Sequence, residues 1–215
     1  MALVDPDTGC LSLQIVYDGA PLSGKTSSVV ALGRLVDCPV VTPEEAQGRT
    51  VYFDWLDYTG GLCRGRPVQC RVIAVPGQDE LAQRRDVILR GADAVVFVAD
   101  TAAARFDDSC RRLEALRRQL AERRRKIPVL LQLNKRDLAD AVPIDALVAQ
   151  IEPELERVES VALTGAGIRE AFVLAVSAAV RTLRSSELLY DSGVFDTQEL
   201  QLPTPDQLLE LLQTV

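Results

Sequence analysis

The sequence predicts an α/β domain: a mostly parallel central sheet with helices on both faces and one antiparallel hairpin strand. Three observations carry this. Strand-like and helix-like stretches alternate along the chain. Two short apolar runs, AVVFVAD (94–100) and PVLLQL (128–133), have the continuous character of strands buried on both faces. The glycine-containing turn GAPLSGKT (19–26) joins the first strand to the first helix.

Taken in order, the mixed apolar stretch 11–17 is a strand, and 25–35 after the turn is a helix. Residues 36–49 carry Pro39, Pro43 and Gly48 and read as a loop. Strands over 51–56 and 68–75 form an antiparallel hairpin whose long connection is the turn-rich DYTGGLCRGRP. Pro76-Gly77 ends the second of them, and a helix follows over 80–90. After the strand 94–100 comes a charged helix over 107–125, with Leu113, Leu116 and Leu120 at core spacing. The strand 128–133, a short helix over 144–151, a strand over 158–163 and a long apolar helix over 167–183 complete one domain, residues 1–184. Residues 185–215 are a C-terminal extension. Thr204 as N-cap, Pro205 at the first helical position and Leu208, Leu209, Leu211 and Leu212 mark a short amphipathic helix, which either folds back on the domain or engages a partner.

Composition narrows the function. The 215 residues hold 31 acidic and 24 basic side chains, a formal charge of −7, which argues against a nucleic-acid binder. No histidine is present, so Ser-His-Asp and Cys-His catalysis and His-bound metals are excluded. The five cysteines form no CxxC pair and read as reduced, mostly buried thiols. MALVDPDTGC lacks the basic start and apolar core of a secretion signal, no apolar run is long enough to cross a bilayer, and neither lipidation signature is present. The expectation is a cytoplasmic protein with no membrane insertion, monomeric by itself. Chemistry that needs little proton shuttling suits this inventory, and phosphoryl transfer is such a chemistry.

Only three of the 24 basic residues are lysines, and two of the three fall in motifs. Gly19, Ala20, Pro21, Leu22, Ser23, Gly24, Lys25 and Thr26 fit the phosphate-loop pattern G-x-x-x-x-G-K-[ST], with Ser27 next in the helix. Small residues let backbone N–H groups wrap a β-phosphate, and the helix N-terminus adds its positive dipole. Lys25 bridges β- and γ-phosphate oxygens, and the Thr26 hydroxyl ligates Mg²⁺. The second motif is NKRD, Asn134 to Asp137. Guanine presents N1–H and N2–H₂ donors, which the two coplanar oxygens of Asp137 can accept, whereas adenine has no such donor pair. Asn134 ties this loop to the phosphate loop, and the Lys135 stem packs over the base. Between them, VPGQ (75–78) offers the Gly77 N–H to a γ-phosphate and Gln78 to orient an attacking water.

The ordered set GxxxxGKT, RTVYFDWL, VPGQ, GADAVVFVAD and NKRDL resembles the bacterial Ras-like GTPases of the MglA (gliding-motility) type, over about residues 10–183. The resemblance implies a P-loop NTPase with the small-GTPase fold, a switch cycling between GTP and GDP with Mg²⁺, a roadblock-domain protein as activator and further effector proteins. Arg49 matches that family's intrinsic arginine finger, Thr50 its Mg²⁺- and γ-phosphate-sensing threonine, and Gln78 its water-positioning glutamine. By the same likeness, partner binding slides the strand 51–56 and brings Arg49 into place. The alternative for Arg49 is a solvated loop residue.

The departures are specific. Ala74 stands where most small GTPases have an Asp that the MglA type also lacks, and Asp54 either supports Mg²⁺ from the neighbouring strand or is an exposed strand carboxylate. Pro21 removes one N–H donor from the phosphate loop. SVALTGAG (160–167) is a loose version of the guanine loop, in which Ala162 gives a backbone N–H to guanine O6. RRLEALRRQLAERRRK (111–126) is either a solvated face or a docking surface for an acidic partner or anionic lipid. Two functions follow: a GTP-hydrolysing switch, or a nucleotide-loaded scaffold with little hydrolysis, which Ala74 and Pro21 favour. An ATP-dependent enzyme is disfavoured by Asp137.

Overall fold

The computed structural model describes residues 3–4, 9–41, 54–63, 66–75, 77, 82–123, 125–150 and 154–185. Its elements are β1 (Leu3–Val4), β2 (Leu11–Asp18), α1 (Lys25–Leu35), β3 (Asp54–Cys63), β4 (Arg66–Ala74), α2 (Ala82–Gly91), β5 (Ala94–Asp100), α3 (Ala103–Ala121), β6 (Val129–Asn134), α4 (Ile144–Gln150), β7 (Arg157–Glu159) and α5 (Ile168–Ser185). The sheet order is β3-β4-β2-β5-β6-β7. β3 runs antiparallel to β4, and every other neighbouring pair on that path is parallel. The two-residue β1, which the apolar pattern did not reveal, pairs antiparallel with the start of β2.

Strand alternation divides the core into two layers. Leu13, Ile15 and Tyr17 of β2, Val72 of β4 and Val96 and Val98 of β5 pack with Val29 and Leu32 of α1 and Ala171, Phe172 and Val176 of α5. Val16, Ile73, Val95, Phe97 and Ala99 face the other way, onto Leu89 of α2, Phe106, Leu113, Leu116 and Leu120 of α3, and Leu147 of α4. All seven residues of β5 are buried, as a strand covered on both faces requires.

Three boundaries differ from expectation. The hairpin has no long loop: β3 continues to Cys63, paired with Arg66, and its glycines sit at a register irregularity between Gly60 and Leu62. Glycine in a strand marks a bulge as readily as a turn. β7 stops at Glu159, and 160–167 leaves the sheet as a loop closed by a Val161–Ala166 bridge. Helix α3 begins at Ala103, four residues before the expected start, because the alanines are strong helix formers, and it ends at Ala121.

The arginine-rich stretch is largely matched by carboxylates. Arg111 and Arg112 pair with Asp108, and Arg118 with Glu114. Arg123 reaches Asp86 of α2 at 2.9 Å, and Arg125 reaches Asp93 at 2.6 Å. Among the described residues, no helix is long and apolar enough to cross a membrane.

Candidate functional site: a phosphate loop joined to a base loop

The site lies past the carboxyl ends of β2, β5 and β6, where the connection from β2 through α1 runs to one side of the sheet and that from β4 through α2 to the other, the crevice in which open α/β sheets bind ligands. The loop 19–24 enters α1 through Gly24, which holds a left-handed conformation at φ 102°. No side chain caps the first turn and no acidic residue lies in it, so the helix presents free N–H groups and its positive end to an anion. Gly19, at φ 147°, passes so close to β5 that a Cβ would stand 2.3 Å from the Val98 carbonyl oxygen. Leu22, at φ 64°, projects its side chain into solvent. Pro21 is half-buried in the same loop, whereas Ala20 and Ser23 are buried; Ser27 is half-buried in the first turn of α1.

Lys25 is buried, and its Nζ donates to the carbonyl oxygens of Gly19 (3.0 Å) and Ala20 (2.7 Å). Burial is the main cause that pulls its pKa down to about 8. The charge of Asp18 opposes this, and the guanidinium groups of Arg85 and Arg112 reinforce it. Gly77 lies against this ammonium: a Cβ there would stand 2.7 Å from Lys25 Nζ and 2.7 Å from the Pro21 nitrogen. Arg112 of α3 donates to the Gly77 carbonyl oxygen at 3.4 Å.

The Thr26 hydroxyl donates to Asp54 Oδ2 at 2.7 Å. The β3–β4 ladder puts Asp54 directly opposite Ala74, so the neighbouring strand presents a carboxylate at the level where β4 has none. A hydroxyl and a carboxylate side by side are hard oxygen donors, and Mg²⁺ takes one or two such protein ligands together with phosphate oxygens and water. The pair fits that ion. Among the described residues there is no cluster of three or more His, Cys, Asp or Glu side chains that could hold a metal without a phosphate.

Asn134, buried at the end of β6, joins the loops. Its Nδ2 donates to the Ser23 carbonyl oxygen at 2.8 Å, and its Oδ1 accepts from the Ala162 N–H at 3.0 Å and the Ser160 hydroxyl at 3.2 Å. The Ala162 amide, assigned by the sequence to guanine O6, is thus committed to Asn134. Lys135 adopts φ 66°, and its ammonium pairs with Asp100 Oδ2 at 2.7 Å. Asp100 is itself fixed by accepting the Ala102 N–H. Asp137 is exposed in the turn that follows. Arg49, Thr50 and Gln78 lie outside the described residues, as does the segment 186–215.

Sequence reasoning missed three charged residues at the site. Asp100 closes the run VFVAD and holds Lys135. Asp18 and Arg85, 67 positions apart, pair beneath the phosphate loop.

No family model matches the chain. It is 33% identical over 181 residues to the mutual gliding-motility protein MglA of Myxococcus xanthus (strain DK1622), an alignment covering 78% of this chain and 90% of that protein. The chain belongs to the MglA-type family of Ras-like small GTPases. Its mostly parallel sheet, antiparallel β3 and flanking helices are the small-GTPase form of the P-loop fold.

The glycine at the helix entry permits a direct check. A Cβ at Gly24 would meet Asn134 Nδ2 at 2.2 Å, in a backbone conformation that side chains rarely adopt. Gly24→Ala is expected to cost about 2–4 kcal/mol of stability, lowering Tm by about 5–10 °C in a thermal unfolding scan.

Proposed function

We propose that this protein is a GTP-binding molecular switch that hydrolyses GTP to GDP with Mg²⁺, slowly unless a roadblock-domain partner stimulates it, and that it acts in the cytoplasm as a monomer in polarity or motility regulation. The observation that carries this reading is the Asn134 bridge between loops 19–24 and 160–167. With it, Lys25 and Asp137 address the two ends of one guanine nucleotide.

In this reading Gly19 to Ser27 wrap the phosphates. The Lys25 ammonium is held over the loop by two carbonyls and turns to the β- and γ-phosphate oxygens. Thr26, Asp54 and Thr50 would hold Mg²⁺, which when bound would neutralise charge on the phosphoryl group. Gly77 meets the γ-phosphate beside Lys25, Gln78 orients the water, and Arg49 supports the developing charge. Asn134 positions the base loop, Lys135 covers the base from its Asp100 anchor, and Asp137 accepts the two guanine donors. Ala162 acts on the base by fixing Asn134.

A second reading, a nucleotide-loaded scaffold with little hydrolysis, draws on Ala74 and Pro21. Asp54, opposite Ala74 and bonded to Thr26, favours the switch. Single-turnover GTP hydrolysis by the purified chain with Mg²⁺, with and without a roadblock-type protein, separates the two. A partner-stimulated rate supports the switch. Tight GTP binding with negligible turnover in both cases leaves the scaffold.

A further inference from the structure

Asp18 occupies a position where the sheet pattern calls for an apolar side chain. It is the last residue of β2 and falls on the face that carries Val16 and Phe97 against α2 and α3. Its carboxylate is fully buried. One oxygen, Oδ1, accepts the Gly19 N–H at 2.7 Å, at the first residue of the phosphate loop. The other, Oδ2, accepts from Arg85 Nε at 2.9 Å and from its terminal nitrogen at 2.6 Å. Arg85 lies in the first turn of α2, just after the loop that contains Gly77.

A buried carboxylate at this place has two consequences. Left unpaired it carries a large desolvation cost. It also sits next to the loop that must accept two or three phosphates, so its charge opposes the ligand unless a cation cancels it. Arg85 supplies that cation from the element whose preceding loop carries Gly77 to Lys25.

We propose that Asp18 and Arg85 are positioning residues of the phosphate site, a buried ion pair that couples the seat of α2 to the affinity of the phosphate loop for a nucleoside di- or triphosphate. This rests on the reading of loop 19–26 as a nucleotide site. While Arg85 is seated, Asp18 is neutralised and holds the Gly19 amide in place. When α2 is drawn away, an unpaired negative charge remains under the phosphates and the nucleotide is released faster. The coupling is reciprocal: bound phosphates disfavour the unpaired carboxylate and so hold α2 in its seat.

The test is dissociation of fluorescent GDP from the full chain, followed after a chase of unlabelled GDP, for wild type, Arg85→Ala, Asp18→Asn and the double variant. Arg85→Ala is expected to speed release by about tenfold or more, since it leaves a buried charge unpaired. Adding Asp18→Asn to Arg85→Ala is expected to return the rate to within about threefold of wild type, because the charge is gone. A merely structural Arg85 would give no such rescue. Arg85→Lys against Arg85→Gln repeats the comparison with little change in bulk, and only the lysine is expected to stay near wild type. An unchanged rate in Arg85→Ala and Arg85→Gln, or a double variant as fast as Arg85→Ala, would overturn the coupling while leaving the nucleotide site intact. A wild-type chain that binds no guanine nucleotide would overturn both.

Discussion

Asp137→Ala is expected to weaken GTP and GDP binding by about 10²–10⁴-fold while changing ATP binding little. The argument is chemical. A carboxylate accepting N1–H and N2–H₂ makes two charge-assisted hydrogen bonds, each contributing about 1.5–3 kcal/mol, and without it those two donors lose their charged acceptor. Adenine has no donor pair there, so it loses nothing and selectivity collapses. The exposed position of Asp137 means that the variant folds normally. Competition of GTP and ATP against a fluorescent GDP measures both affinities. A chain that still prefers GTP after the substitution would remove Asp137 from the base site.

Arg49→Ala is expected to lower the partner-stimulated single-turnover rate by about 10³-fold and to leave nucleotide affinity within a few-fold of wild type. A guanidinium that acts only on charge developing during transfer contributes little to the ground state, so the loss falls on the rate. Gln78→Leu is expected to behave alike. The chain positions nearest to these two in the described structure support the expectation: Asp54, five residues after Arg49, bonds Thr26, and Gly77, beside Gln78, lies against Lys25. Parallel measurements of affinity and rate separate this outcome from a binding defect, in which the two would fall together.

Much of this architecture is written locally. Helix α1 occupies the expected 25–35, because the phosphate-loop glycine fixes its start and its apolar residues repeat at helical spacing. The strand 94–100 matches as well, since six apolar residues in a row ahead of Asp100 leave no exposed face. What the pattern misplaces is non-local. Gly60 and Gly61 carry the same local signal in a turn and in a bulged strand, and only the partner strand decides. Val161 to Leu163 has strand composition, yet the Ser160 N–H is the last to bond Leu133 of β6 before the chain turns aside to fasten Asn134. The Asn134 bridge was legible because a motif announces it. The Asp18–Arg85 pair was not: an Asp before a glycine looks like ordinary turn chemistry, and an Arg in an amphipathic helix looks solvated. Only the tertiary fold removes both from water.

The Asn134 bridge also sets an order in time. Its partners lie 111 residues upstream at Ser23 and 28 downstream at Ala162. On a ribosome the phosphate loop emerges before Asn134, so it lacks that support until residue 134 has been made. Contacts that span so much chain form late, because the intervening segments must first be confined. The link between the two loops is therefore among the later contacts of a newborn chain to form.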